Sequence, residues 1–193
     1  MHEATLTMIL SRATLPEACS SMWQSQSWQA SRVHLFCLGE ATHLLQHDFS
    51  AWPPGERAYC AHMQQKLAAP APPSASPFVA AGLATLGRLI RDSDLTLTLS
   101  HPCWPELVPG WGIKKIAIDL GEEPSMQLEA LRLATGLAGC NHHITVHSPH
   151  EPIQLRALLP EAGAFFEVLS AMKAEFNQSF PPRKQQQNLL LRL

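Results

Sequence analysis

The chain has 193 residues, enough for one large domain or two small ones. Apolar residues make up 46% and charged residues 16%, so the composition supports a buried core and argues against global disorder. A formal charge of −2 and a pI near 6.5 leave no basic footprint for nucleic acid or an anionic membrane surface.

The N-terminal MHEATLTMIL lacks a basic segment followed by an apolar one. No apolar run approaches the ~20 residues a membrane helix needs. The five cysteines, Cys19, Cys37, Cys60, Cys103 and Cys140, are odd in number, widely spaced and free of any CxxC. These features predict a soluble, cytoplasmic protein with reduced thiols, no nucleic-acid partner and no membrane partner.

In chain order, Thr5–Leu10 (TLTMIL) reads as a buried strand. Thr14 as N-cap, with Pro16 and Glu17 behind it, predicts a helix running to Ala30, with Ala18, Met22 and Trp23 on its buried stripe. Val33–Leu38 is a second strand, Ala41–His47 a helix, and Trp52–Pro53–Pro54–Gly55 a loop. Arg57–Cys60 reads as a brief strand and Ala61–Leu67 as a helical turn or two. The Pro-rich stretch Ala68–Pro77 must be an exposed loop or hinge, because a proline removes a backbone donor. Phe78–Arg91 is expected to be helical and Leu95–Leu99 (LTLTL) a strand.

A second Pro/Gly-rich connector, 101–112, precedes a return of the opening pattern. Ile113–Leu120 is a strand, Gly121–Pro124 a turn, Ser125–Ala138 a helix stopped at Gly139, and His143–His147 a strand. Right-handed crossovers then make both strand pairs parallel. The fold class is α/β, a mostly parallel sheet with helices on both faces. Helices are expected over 153–159 and 162–176. The last segment, 181–193, reads as a flexible tail in which Leu189–Leu191 could dock on a partner.

The order of elements from Arg57 to Ser100 carries a resemblance. Ala58–Tyr59–Cys60 runs into AHMQQKL, a loop follows, then GLATLGRLI, and a strand begins after Asp92–Ser93–Asp94. This arrangement resembles the second half of a domain of the DsrE/DsrF-like sulfur-relay family, which includes the TusBCD subunits. With the first βαβ unit as its first half, the resemblance covers residues 1–100. The 113–180 segment, with LEALRLATGLAGCNHHITVH, looks like a second, partial DsrE-like unit. The resemblance implies assembly into oligomers or with a protein partner, and a cysteine that holds a persulfide in the members that have it.

Sulfur transfer needs an accessible thiolate, and a helix start directly after the cysteine favours that form. Cys60 fits that position, with His62 and Lys66 nearby in sequence; the alternative is a small buried apolar cysteine. Cys103, flanked by His101 and Trp104, stands straight after a strand, where α/β sheets place ligand crevices, or in a mere proline-rich turn. Asp119 sits at the strand end matching Ser11 and could orient a ligand or serve the turn. His43 and His47 are four apart, and alternation puts His143 and His147 on one face, but no metal motif is present. Phosphate-loop, dinucleotide and nucleophile-elbow motifs are absent too. The chain is therefore expected to be a sulfur carrier or sulfurtransferase-like protein acting through Cys60 and His62, without cofactor or metal. A non-catalytic DsrE-like assembly subunit and a small-ligand-binding α/β protein are the alternatives, so enzymatic activity stays open.

Overall fold

A computed structural model describes residues 4–13, 30–49, 52–99, 106–178 and 188–193. The helix expected from Thr14 to Ala30 lies almost wholly outside the described residues. The chain divides into two compact units, Met1–Gly112 and Ile113–Leu193.

The first unit is a six-stranded sheet. Its strands are β1 (Thr5–Leu10), β2 (Arg32–Cys37), β3 (Arg57–Cys60), β4 (Phe78–Ala81), β5 (Leu95–Leu99) and β6 (Glu106–Pro109), in the order β4-β3-β2-β1-β5-β6. All pairings are parallel except that of β5 with β6. Alternation along the strands sends Leu6, Met8, Leu10, Val33, Leu35, Cys37, Leu97 and Leu99 into one core. There they meet Leu44 and Leu45 of a 3₁₀ helix, Gly39–Gln46, and Phe49. Phe49 stacks edge-on against both Trp52 and Phe78 at 5.5 and 5.3 Å. The loop before β3 needs Gly55, because a Cβ there would collide with the Val33 carbonyl.

Phe78–Arg91 is not one helix. Phe78–Ala81 is strand β4, Gly82 is the extended N-cap, and helix α2 follows over Leu83–Asp92; helix α1 is the short Ala61–Lys66. The small residues of FVAAG permit either state, and pairing with β3 settles it by satisfying the backbone groups of both strands. Helix α2 buries Leu86, Leu89 and Ile90. It is tied to β1 where the Thr7 hydroxyl donates to the Leu89 carbonyl at 3.2 Å.

The second unit is a four-stranded, all-parallel sheet in the order β10-β7-β8-β9. Its elements are β7 (Lys115–Asp119), α3 (Pro124–Gly139), β8 (His143–His147), α4 (Pro152–Leu158), α5 (Gly163–Ala171), β9 (Glu175–Asn177) and β10 (Asn188–Arg192). Ile116, Ile118, Ile144, Val146, Leu189 and Leu191 alternate onto one face, and helices α3 and α5 contribute Leu131, Ala134, Leu137, Phe166 and Leu169. The unit is not a partial copy that ends in helices, and 181–193 is not wholly a loose tail. Leu189 and Leu191 dock in their own sheet, beside β7.

Helix α5 also stops earlier than the apolar pattern suggests. Lys173 takes a left-handed φ of 59°, and the N–H groups of Lys173 and Ala174 close on the carbonyls of Ser170 and Leu169. The same closure with Asn141, φ 67°, ends α3 two residues beyond Gly139. No helix among the described residues is long and apolar enough to cross a membrane.

Both units share one winding. Successive strands step away on one side of the first strand, and the last parallel strand returns to its other side. Such a reversal opens a crevice at the carboxyl ends of the strands. It lies between β1 and β5 in the first unit and between β7 and β10 in the second.

Candidate functional site

Helix α1 starts directly after Cys60, as expected, with Cys60 as its extended N-cap. The thiol, however, is 2% exposed. A nucleophile needs approach as well as a thiolate, so this placement brings position without access. His62 and Lys66 are exposed on the same helix. Cys37 is fully buried, and desolvation pushes its thiol up to about 12. Cys140 is half-buried. His101, Cys103 and Trp104, the other candidate ligand-binding residues, lie outside the described residues, as does Cys19.

His43 and His47 are exposed, and His143 and His147 do share one face of β8, with His147 buried and His143 exposed. Among the described residues no group of three or more His, Cys, Asp or Glu side chains is placed to hold a metal ion.

The register of the two sheets singles out a different place. In the second unit Asp119 pairs with Arg192 on one side and His147 on the other, and His147 pairs with Asn177. One row across all four strands is therefore Arg192–Asp119–His147–Asn177, at the carboxyl ends and on one face. On the core face the last row is apolar in both units, Leu99–Leu10–Cys37–Tyr59 in the first and Leu191–Ile118–Val146–Phe176 in the second, and the polar row lies one residue further along on the other face of the second sheet.

The polar row borders a cleft of about 170 Å³ lined by Asp119, Gly121, Glu122, His147, Ser148, Pro149, Gln178 and Arg192. Asp119 serves the turn, one of the two roles expected of it, and also pairs with a cation. Its Oδ1 accepts the Gly121 N–H at 3.1 Å, which fixes the turn, and its Oδ2 accepts from Nε and Nη2 of Arg192. Gly121 adopts a φ of 64°, open to glycine without strain, and its carbonyl accepts from Gln127 Nε2 at 2.9 Å. Across the cleft the Ser148 N–H donates to the Asn177 carbonyl at 3.1 Å, and Ser148 Oγ accepts the His150 N–H at 3.0 Å. The walls are thus held by their own backbone bonds. The Asp119 side chain is 5% exposed and that of Arg192 30%, so the carboxylate is the more deeply buried partner.

A second charged cluster lies at the opposite, amino end of the first unit's strands. Arg88 grips Glu56 with two bonds, at 3.0 and 2.5 Å, and these hold the Glu56 carboxyl below its usual range. His34 Nδ1 accepts the Glu56 N–H at 2.9 Å, which fixes the neutral imidazole, and burial lowers its pKa. Arg57, also lowered by burial, donates to the carbonyls of Val33 and Pro53. The cluster locks the loop before β3.

Sequence reasoning found Asp119 and His147 separately and missed Arg192. The only local signal was the short apolar run NLLLR behind a Gln-rich stretch. Comparison with protein-family models, curated proteins and solved structures gave no match.

Proposed function

We propose that this chain is a small-molecule-binding α/β protein whose ligand occupies the cleft at the carboxyl end of the second unit's sheet. The observation that carries the reading is the polar row Arg192–Asp119–His147–Asn177 at the carboxyl ends of the strands, three members of which line a cleft at the point where the strand order reverses. Buried charge is costly, and packing alone gives no reason to set a carboxylate there. A library of small polar molecules screened by thermal shift tests this, because a ligand that binds only the folded form raises its melting temperature. Hits are expected with the native chain and lost with Arg192→Leu. Equal shifts in both proteins would contradict the reading.

The resemblance to the DsrE/DsrF-like family supports a second reading. Burial of Cys60, together with exposure of Ile153, Leu158 and Met172 on the helical layer of the second unit, favours the non-catalytic assembly member over the sulfur carrier. Incubation with a sulfane-sulfur donor followed by mass measurement separates the two. An adduct of sulfur mass that disappears in Cys60→Ser would restore the relay reading with Cys60 and His62 as its site; no adduct leaves the assembly role.

A further inference from the structure

We propose that the proline-rich loop between α1 and β4 is a recognition segment, a short polyproline II ridge read by an aromatic-lined groove on a partner protein. A proline fixes its own φ at about −65° and pushes the residue before it into extended backbone. Every position of Ala69–Pro70–Ala71–Pro72–Pro73 meets at least one of these conditions, and the segment belongs to no helix, strand or turn. Burial follows the three-residue repeat of polyproline II. Ala69 is buried and Pro72, three residues on, is half-buried, while Pro70, Ala71, Pro73 and Ser74 are exposed. One of the three faces is packed, and the edge between the other two projects into solvent. The segment is also anchored: Nε2 of Gln64 donates to the Ala69 carbonyl, Nε2 of Gln46 to the Ala71 carbonyl, and the Ser76 N–H to the Pro73 carbonyl at 2.8 Å. Among the described residues none donates to the carbonyls of Pro70 and Pro72.

The chemistry of the ridge selects its partner. No charged residue occurs from Leu67 to Gly87, so the loop offers nothing to nucleic acid or an anionic membrane surface. Its exposed prolines, alanines and serines lack the large apolar side chains that enter a lipid layer. Addition of a strand is disfavoured as well, because Pro70, Pro72 and Pro73 have no N–H to give a ladder. What remains is stacking of pyrrolidine rings on aromatic faces, with indole N–H or phenol O–H groups of the groove donating to the two open carbonyls. Pro70 and Pro73 stand one repeat apart, the PxxP spacing that such grooves read. The ridge is ordered before it binds, so docking costs little chain entropy. A second copy of this chain serves less well as the partner. Among the described residues Trp111 is the one aromatic side chain that is mostly exposed, and its indole N–H already donates to Asp94.

The test titrates the full chain into three ¹⁵N-labelled proline-reading probes, an SH3, a WW and an EVH1 domain, and follows the indole N–H of the groove tryptophan in each. A contact this small is weak, so chain concentrations of about 0.1–1 mM are needed. The expected result is saturable movement of that signal in at least one domain. The Pro70→Ala/Pro73→Ala double variant should bind that domain at least about tenfold more weakly. Pro72→Ala makes the same change on the packed side of the ridge, so it controls for general damage to the loop and should weaken binding by less than about threefold. No saturable movement in any of the three domains overturns the inference, as does equal binding by the native chain and the double variant, or a loss in Pro72→Ala as large as in the double variant. Self-association of the native chain that disappears in the double variant, measured by sedimentation, would overturn it too and give the ridge to a second copy.

Discussion

Arg192 closes on Asp119 across 73 residues of chain and ties the last strand of the second unit to its first. The contact completes the sheet and also builds the deepest charged point of the cleft. Structure and site thus share one ion pair, and their contributions can be separated by replacing each partner in turn.

Removing either partner costs stability, unequally. Arg192→Met leaves a buried carboxylate anchored by the Gly121 N–H, and should cost about 2–3 kcal/mol, below the ~3–5 of a fully buried pair because Arg192 is 30% exposed. Asp119→Asn keeps an acceptor for Gly121 and leaves a partly solvated cation, so about 1–2 kcal/mol is expected. Urea unfolding of the two variants checks the order; a larger loss in Asp119→Asn would contradict it.

Strand β10 should be as integral as any other. Leu189 is fully buried, and Leu189→Ala is expected to cost about 2–5 kcal/mol through lost burial and the cavity left behind. A loosely held tail would lose almost nothing. Chemical denaturation distinguishes the two outcomes.

The thiols should differ in reactivity as their burial does. Brief native-state alkylation with peptide mapping should label half-buried Cys140 well before Cys37 and Cys60, which are 0% and 2% exposed. Cys37, with its pKa raised to about 12 by burial, stays protonated at neutral pH. Labelling of Cys60 as fast as Cys140 would show that α1 opens and would revive the sulfur-relay reading.

Acid should weaken the first unit in two steps. The pKa of His34 is lowered from its ordinary 6.5, chiefly by burial, so below that value the unfolded chain takes up a proton the folded chain resists. Stability is then full above pH 6.5 and falls as pH drops toward the folded value. Glu56, lowered from 4.5 chiefly by its bonds to Arg88, adds stability that is present above pH 4.5 and lost below it. Urea midpoints measured against pH should show both declines, and Arg88→Met should flatten the lower one. An unchanged profile in that variant would contradict the assignment.

The parallel strand pairs were legible because TLTMIL, VHLFCL, IKKIAIDL and HITVH are apolar runs bounded by turn residues. Strand β4 was not, since Phe78–Ala81 is small enough for a helix and only its register with β3 decides it. β10 was hidden by the polar stretch before it. The site was least legible of all. Asp119, His147 and Arg192 come from three strands, and they meet because register aligns them in one row, a relation with no local pattern along the chain. Cys60 illustrates the converse: its place at a helix start could be read locally, but its burial depends on the core around it.

The central claim is that the ligand site belongs to the second unit and to its polar row, Arg192–Asp119–His147–Asn177. Mapping the shifts that hits from the small-molecule screen induce over the backbone amides of both units tests it most directly. The account predicts movement at Gly121, Ser148 and Arg192, with Ser11, Leu38 and Gly39, at the equivalent strand ends of the first unit, unmoved. Shifts centred on those first-unit residues, or on Cys60 and Ala61, would contradict it.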